Sequence, residues 1–263
     1  MSSLDLFSLK GRTAVVIGGT GELCGAMAEG FADAGAHVIR VGRDPVKAEA
    51  RLAKIKAAGG SGEFKAGEAT HKADLIRLRD EILAQHGKVD ILVNGAGVNS
   101  PTPFLEIDEA QLDRILTVNI KGVVFGCQVF GEAMVKVGAG SIINLGSESA
   151  ILPLSRVFTY SASKAAVLSL TQFLSREWAP AGVRVNSITP GFFPAEQNRR
   201  LLFQEDGTPT PRAKAILGHT PMGRFGRADE LAGATIFLAS PKASGFVTGT
   251  DIRVDGGFLS QTI

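Results

Sequence analysis

Short apolar runs alternate with amphipathic stretches along almost the whole chain. The runs rich in valine and isoleucine predict β-strands, and six are clear: 13–19, 37–42, 89–95, 140–146, 183–191 and 251–257. Apolar positions at helical spacing predict helices over 23–36, 44–60, 72–87, 108–138 and 161–182. Apolar strands joined through helices are typical of a parallel sheet covered on both faces. The pattern predicts one α/β domain over 1–263: a doubly wound, Rossmann-type parallel sheet of seven strands with helices on both faces.

One segment, residues 194–226, departs from this rhythm. It follows the strand that ends near residue 191 and contains the turn-rich stretch EDGTPTP. Ligands of doubly wound sheets bind beyond the carboxyl ends of the strands, where this segment begins. We therefore expect it to form a lid over a substrate site.

Composition excludes several classes of function. The 263 residues carry a formal charge of +2 and no basic run, so we expect no nucleic-acid partner. No stretch approaches the roughly 20 apolar residues that span a bilayer, and the first residues lack a signal-peptide core. Cys24 and Cys127 are isolated, which suits a reducing cytoplasm. We also predict no metal site, because the histidines are scattered singly at His37, His71, His86 and His219.

A glycine-rich turn follows the first predicted strand. Gly18, Gly19 and Gly21 leave the backbone bare just before a helix, whose first N–H groups are suited to bind a phosphate. Cys24 stands where a strict dinucleotide motif has its last glycine. A turn without a ligand stays an alternative to a dinucleotide site at this point.

The only tyrosine of the chain, which has fifteen phenylalanines, lies four residues before a lysine. Tyr160 and Lys164 share one face of a predicted helix. An ammonium group beside a phenol favours the phenolate, so this pair is suited to proton transfer. A helix-end tyrosine with a solvated lysine is the alternative.

Further polar residues extend this pair to a recognisable set. Asn119 lies 28 residues before Ser147, Ser147 lies 13 residues before Tyr160, and NGAG and PG close two strands. With these motifs the chain resembles the compact branch of the short-chain dehydrogenase/reductase family over nearly its whole length. The resemblance implies that Tyr160 is the general acid or base, that Ser147 holds the substrate carbonyl, and that Lys164 binds the nicotinamide ribose. It implies that Asn119 holds a water that relays protons.

The resemblance also implies a set of cofactor contacts. Besides Tyr160 and Lys164, they are Gly18, Thr20, Gly21, Glu22, Leu23, Arg43, Glu68, Ala69, Asn94, Gly95, Ala96, Pro190, Gly191 and Phe193. Four residues depart from the family pattern: Ile17 replaces a threonine, Cys24 replaces a glycine, Glu68 replaces an aspartate, and Ala195 replaces a threonine. Glu22 adds a carboxylate near the expected pyrophosphate, so we expect its side chain to point away.

The choice of nicotinamide cofactor depends on the end of the second strand, which reads VGRDP. An NAD enzyme usually has an acidic residue there, whereas this chain has Gly42 followed by Arg43, which can bind a 2′-phosphate. Asp44 is a displaced ribose ligand or the N-cap of the next helix. We expect NADP(H) to be preferred, with NAD(H) as the alternative.

The 194–226 segment resembles the sugar-acid members of the family, especially the D-mannonate oxidoreductase (fructuronate reductase) group. We expect substrate contacts from Ser147 and Tyr160 and from the polar run Gln197, Asn198, Arg199 and Arg200. The function implied is interconversion of a carbonyl and a secondary alcohol on a sugar acid such as D-mannonate/D-fructuronate. A 3-oxoacyl or gluconate-type reductase and a non-catalytic nucleotide sensor are the alternatives.

The resemblance further implies a homotetramer joined by paired long helices and by the last strand. The stretch that begins at Ser161 is apolar on more than one face, through Val167, Leu168, Leu170, Phe173, Leu174 and Trp178. A helix that is apolar nearly all round needs a partner besides its own sheet.

Overall fold

Seven parallel strands form one sheet in the computed structural model, which describes residues 3–196 and 198–262. The strands are β1 (Thr13–Ile17), β2 (His37–Gly42), β3 (Ser61–Ala66), β4 (Ile91–Asn94), β5 (Gly140–Leu145), β6 (Val183–Pro190) and β7 (Asp251–Val254). Their order is β3-β2-β1-β4-β5-β6-β7. This order confirms the predicted doubly wound parallel sheet.

Helices cover both faces of this sheet. In the described part of the chain they are α1 (Glu22–Asp33), α2 (Pro45–Ala57), α3 (Lys72–His86), α4 (Glu109–Leu116), α5 (Gly122–Val137), α6 (Phe158–Trp178), α7 (Arg199–Leu202), α8 (Pro211–His219), α9 (Ala232–Ala239) and α10 (Pro241–Ser244). Helices α1, α2 and α9 pack on one face, and α3, α5 and α6 pack on the other. Alternate residues of β1 enter the two cores: Val16 faces α1, and Val15 faces α5.

Two elements differ from the sequence prediction. The apolar pattern does not predict strand β3, which reads SGEFKA, because β3 is an edge strand without a buried residue. The single helix predicted over 108–138 is divided by a π-helical turn at Thr117–Lys121. By length and composition the helical stretch Glu109–Val137 could cross a membrane, but 56% of its apolar window is buried inside the protein. Val123 and Phe130 of this stretch belong to the core beneath α3.

The strand order reverses at β1, which pairs with β2 on one side and with β4 on the other. The loops after β1 and β4 therefore diverge to opposite faces and leave a crevice between them. Gly18 lies against the backbone of Gly95 and Ala96, so closely that a Cβ would come within 2.8 Å of the Ala96 nitrogen. The two turns can approach each other this closely because Gly18 and Gly95 have no side chain.

The 194–226 segment has a small core of its own. Leu202 of α7 packs with Ala213 and Ile216 of α8, and Phe203 forms an isolated bridge with Pro209. Leu201, beside it in α7, is exposed. The two short helices thus form a hairpin-like unit after β6.

Candidate active site

Ser147 and Tyr160 meet at the carboxyl edge of the sheet. Ser147 lies two residues after β5 and caps a 3₁₀ turn at Glu148–Ala150, where its hydroxyl accepts a 3.3 Å hydrogen bond from the Ser149 N–H. Tyr160 lies in the first turn of α6, and its phenol lies close enough to the Ser147 hydroxyl for that group to affect its pKa. The two hydroxyl groups therefore face one point, as simultaneous contacts to one substrate oxygen require.

Lys164 lies one turn further along α6 and is buried. Its Nζ donates a 2.8 Å hydrogen bond to the carbonyl oxygen of Leu145 and lies 5.7 Å from the centre of the Tyr160 ring. Burial lowers the pKa of Lys164 to about 8, so the amine is mostly protonated at pH 7. The site thus holds a cation whose position is fixed from β5.

The phenol is held as an acid in this structure. Burial raises the pKa of Tyr160 to about 12, the hydrogen bond from Ser147 opposes this rise, and the nearby charge of Glu148 adds to it. This differs from the expectation that Lys164 lowers the pKa, because the Nζ is bonded to Leu145 and lies over the ring rather than at the phenol oxygen. Without a further positive charge, Tyr160 is a proton donor.

Asn119 lies in the π-helical turn, and its side chain is fully used. The Oδ1 accepts from the Val98 N–H at 2.8 Å, while the Nδ2 donates to the Val98 carbonyl at 2.9 Å and to Ser163 Oγ at 3.0 Å. Ser163 Oγ in turn donates to the Tyr160 carbonyl. Asn119 therefore ties the loop after β4 to α6; its role in a water relay stays a prediction.

The crevice between the β1 and β4 turns suits the pyrophosphate of a dinucleotide. Gly18 has a φ of +79°, and α1 begins after Gly21 without a side-chain cap, so its first N–H groups are free of a side-chain partner. An anion is the natural ligand of such a helix end. Cys24 fits because its Sγ occupies the space beside Gly95, where a Cβ would come within 2.0 Å of the sulfur.

Several predicted cofactor residues have defined partners. Glu22 pairs with Arg51 of α2 at 2.8 Å. Glu68 pairs at 3.4 Å with Arg43, whose side chain is 78% exposed. Asp44 accepts from the Lys47 N–H and is the N-cap of α2, as one of its two interpretations proposed.

The other predicted cofactor residues lie around the same edge. Asn94 is buried and donates to Asn144 Oδ1 at 2.9 Å, so its side chain belongs to the polar core. The remaining members lie in the β1 turn, at the start of α1, after β3, after β4, or at and just after the end of β6: Thr20, Leu23, Ala69, Ala96, Pro190, Gly191 and the buried Phe193.

The predicted substrate residues are less concentrated. Helix α7 has only four residues, because Asn198, which precedes it, bonds to the preceding loop. The Asn198 side chain accepts from the Ala195 N–H and donates to the Phe193 carbonyl. Arg199 lies over the Phe203 ring at 5.6 Å, and Arg200 is exposed. Gln197 lies outside the described residues.

Two charged residues near the site were not predicted. Glu148 is buried beside Ser147, and Arg253 lines a cavity of about 350 Å³ between β7 and the 194–226 segment. Sequence patterns do not reveal either, because a single charged residue in a loop or strand usually lies in solvent.

The histidines are less scattered in space than in sequence. His37, Glu63 and His86 bring their ligand atoms within 4.8 Å of one another at the amino-terminal edge of the sheet. His86 is hydrogen-bonded to Glu63 at 3.0 Å, and His37 Nδ1 to Ser61 at 2.6 Å. This group lies at the end of the sheet opposite to the site.

Comparison with known proteins agrees with the geometry. A family model described as enoyl-(acyl carrier protein) reductase matches residues 22–259. The chain is 40% identical to the uncharacterized oxidoreductase UxuB of Bacillus subtilis, with 97% of each chain covered. A gluconate 5-dehydrogenase of Burkholderia cenocepacia, solved with NADP and tartrate, superimposes with a TM-score of 0.92 at 33% identity, covering 99% of this chain and 100% of that one. A candidate D-mannonate oxidoreductase from Haemophilus influenza, solved with NAD, gives a TM-score of 0.90 at 33% identity, with 97% of each chain covered.

Proposed function

Since the chain belongs to the short-chain dehydrogenase/reductase family of NAD(P)-dependent oxidoreductases, we propose that it interconverts a ketone and a secondary alcohol on a six-carbon sugar acid. The substrate pair is of the D-mannonate/D-fructuronate or the gluconate type. The observation that carries the proposal is the convergence of the Ser147 and Tyr160 hydroxyls beside the buried Lys164.

The nicotinamide ring, when bound, supplies the hydride for reduction and accepts it in oxidation. In reduction, the Tyr160 hydroxyl gives its proton to the carbonyl oxygen as the carbonyl carbon gains the hydride. Ser147 donates a hydrogen bond to the same oxygen and fixes its position. Lys164, held on the Leu145 carbonyl beside the Tyr160 ring, would bind the nicotinamide ribose.

Two observations support NADP(H) as the preferred cofactor. The side chain of Arg43 is largely exposed beside the crevice and pairs with Glu68 at 3.4 Å. The gluconate 5-dehydrogenase neighbour binds NADP, whereas the candidate D-mannonate oxidoreductase was solved with NAD. A guanidinium group is suited to a 2′-phosphate, so we propose that NADP(H) is preferred.

Arginines near the lid support an acidic substrate. Arg199 and Arg200 begin α7, and Arg253 lines the adjoining cavity. None of the three has a carboxylate partner among the described residues. We propose that at least one lid arginine, Arg199 or Arg200, binds the substrate carboxylate while Ser147 and Tyr160 hold the ketone.

The test is the change in reduced-nicotinamide absorbance with D-fructuronate, 5-keto-D-gluconate, a neutral ketose and a 3-oxoacyl thioester. We expect turnover of a keto acid and a higher KM for it in Arg199→Ala or Arg200→Ala, with the neutral ketose unaffected. Turnover confined to the thioester, or none of any substrate, would contradict the sugar-acid proposal. Equal losses of activity on acidic and neutral ketoses would exclude binding of the carboxylate by Arg199 or Arg200, but would not contradict the sugar-acid proposal.

A further inference from the structure

Three metal-binding side chains meet at the amino-terminal edge of the sheet, although their spacing along the chain predicts no metal site. His37 begins β2, Glu63 lies in β3, and His86 ends α3. In the register of β2 and β3, His37 lies opposite Ser61. Glu63 lies opposite Ile39, which belongs to the core beneath α3. Alternate residues of a strand share one face, so His37 and Glu63 both face this helix.

The separations between these side chains suit one metal ion. Their ligand atoms lie within 4.8 Å of one another. His86 Nε2 is 3.0 Å from Glu63 Oε1, and the centres of the His37 and His86 rings are 4.6 Å apart. Ligand atoms around a tetrahedral Zn²⁺ ion are about 3.3 Å apart, since each lies about 2.0–2.2 Å from the metal. The group therefore has to contract by at most roughly 1.5 Å, which side-chain rotation can supply.

His37 has a ring nitrogen that needs a partner. Its Nδ1 is hydrogen-bonded to Ser61 Oγ at 2.6 Å, whereas its Nε2 is buried and has no hydrogen-bond partner among the described residues. Such an atom is uncommon in a folded protein, and a bound water or ion is a usual explanation. The side chains of Glu63 and His86 are 27% and 17% exposed, so an ion can reach them from solvent.

Lys65 is a cation near this group and opposes the binding of a metal. Its Nζ lies 3.9 Å from Glu63 Oε1, but it is closer to Glu81 Oε2, at 3.4 Å. Lys65 therefore keeps a carboxylate partner when Glu63 binds an ion. Gln85 donates to the other Glu63 oxygen at 3.4 Å, which holds the carboxylate and leaves Oε1 to the histidines.

We propose that His37, Glu63 and His86 bind one Zn²⁺ ion, with solvent at the fourth position. Two imidazoles and a carboxylate suit Zn²⁺ and related transition metals, whereas Mg²⁺ and Ca²⁺ prefer oxygen ligands. The ion joins β2 and α3 to β3, an edge strand that buries no residue of its own. Its role is to stabilise this edge of the sheet. The site lies at the opposite end of the strands from Ser147 and Tyr160, so it does not depend on the proposed function.

The test is calorimetric titration of the full-length protein, dialysed against EDTA and then freed of it, with ZnCl₂ and in parallel with MgCl₂. Wild-type protein should bind one Zn²⁺ per chain with a Kd in the micromolar range, and no Mg²⁺. His37→Gln, Glu63→Gln and His86→Gln should each weaken Zn²⁺ binding at least about tenfold, because loss of even an outer partner of a metal ligand typically costs that much. His71→Gln is the matched control, since His71 is an exposed histidine at the other end of α3, and it should bind Zn²⁺ as the wild type does.

The melting temperature gives a second readout. ZnCl₂ should raise the Tm of the wild type and of His71→Gln but not that of the three ligand variants, because an ion that binds only the folded chain stabilises it by mass action. No Zn²⁺ binding by the wild type, or binding that persists in His37→Gln and His86→Gln, would overturn the proposal. NADPH affinity, which this distant site should not alter, checks that each variant is folded. If one variant fails this check, the other two decide.

Discussion

The guanidinium group of Arg40 donates a 2.7 Å hydrogen bond to the carbonyl oxygen of Gly19. Arg40 lies in β2 and is fully buried, and its other terminal nitrogen donates to the Gly25 carbonyl at 2.9 Å. One charged side chain thus holds two carbonyls of the turn and helix that follow β1. Because Arg40 binds these oxygens from the side of β2, the N–H groups of the turn can point towards the crevice.

We therefore expect Arg40→Met to weaken both the cofactor site and the fold. Loss of buried hydrogen bonds from a charged donor should lower the free energy of unfolding by about 2–3 kcal/mol. The affinity for NADPH, measured by fluorescence, should fall about tenfold or more because the turn is no longer fixed.

Arg12→Met is the matched control. Arg12 pairs with Asp90 at 2.7 Å beside the amino end of β1, away from the crevice. Its loss should reduce stability in urea without changing NADPH affinity. If Arg40→Met loses stability alone, Arg40 does not position the cofactor turn.

The single tyrosine allows its protonation to be measured directly, because all tyrosinate absorbance comes from Tyr160. Burial raises the pKa of Tyr160 to about 12, so folded protein without cofactor should show no tyrosinate at pH 10, where unfolded chain is about half ionised. Since the pKa is raised in the folded state, stability is full below about pH 10 and falls as the pH rises towards 12. Bound oxidised nicotinamide, a cation, should lower the titration midpoint.

Tyr160→Phe should remove this signal and lower kcat by about 10²–10⁴-fold, the usual contribution of a general acid. Cofactor affinity should be nearly unchanged, because the ring remains and only the hydroxyl is lost. Wild-type turnover in this variant would rule out Tyr160 as the acid.

Arg43→Ala should weaken NADP(H) binding by about 1.5–3 kcal/mol, the scale for a hydrogen bond to a charged group. NAD(H) binding should change little, because it has no 2′-phosphate. Titration calorimetry with both cofactors gives the comparison. Lys47→Ala is the control, since Lys47 is a neighbouring cation that pairs with Glu196 at 2.6 Å. If the wild-type protein prefers NAD(H), Arg43 does not select the cofactor and other groups bind the ribose.

Phe173→Glu should break the proposed tetramer into smaller species in light scattering. Phe173 lies on α6 and is 59% exposed, while Val167 and Leu174 of the same helix are buried against the sheet. Covering such a phenyl ring needs a second surface. Val46→Glu, at a 76% exposed position on α2, should leave the assembly intact. A wild type that is monomeric at micromolar concentration would exclude the tetramer.

The sheet and the reactive pair could be predicted because each leaves a local mark on the sequence. Buried parallel strands are continuous apolar runs, and Tyr160 and Lys164 keep a fixed helical spacing. Strand β3 escaped because an edge strand needs no apolar run. The π-helical turn around Asn119 was not predicted, because its residues are also common in an α-helix.

Buried charged residues were the other feature that the sequence did not predict. Arg40 owes its burial to partners distant along the chain, since it donates to the carbonyl oxygens of Gly19 and Gly25. Sequence rules place such side chains in solvent by default. Their roles become visible only when the strands are brought together.

The pairing of β1 with β4 has a consequence for how the protein is made. A ribosome delivers β1 long before β4, since Ile17 is paired with Asn94. Until then β1 has a neighbour on one edge only, and its other edge exposes unpaired backbone groups. The glycine turn is complete only after β4 arrives, and residues 119–164 emerge later still. The strands of the nucleotide half are thus synthesised before those of the catalytic half, and the edge of β1 that pairs with β4 is completed last in that half.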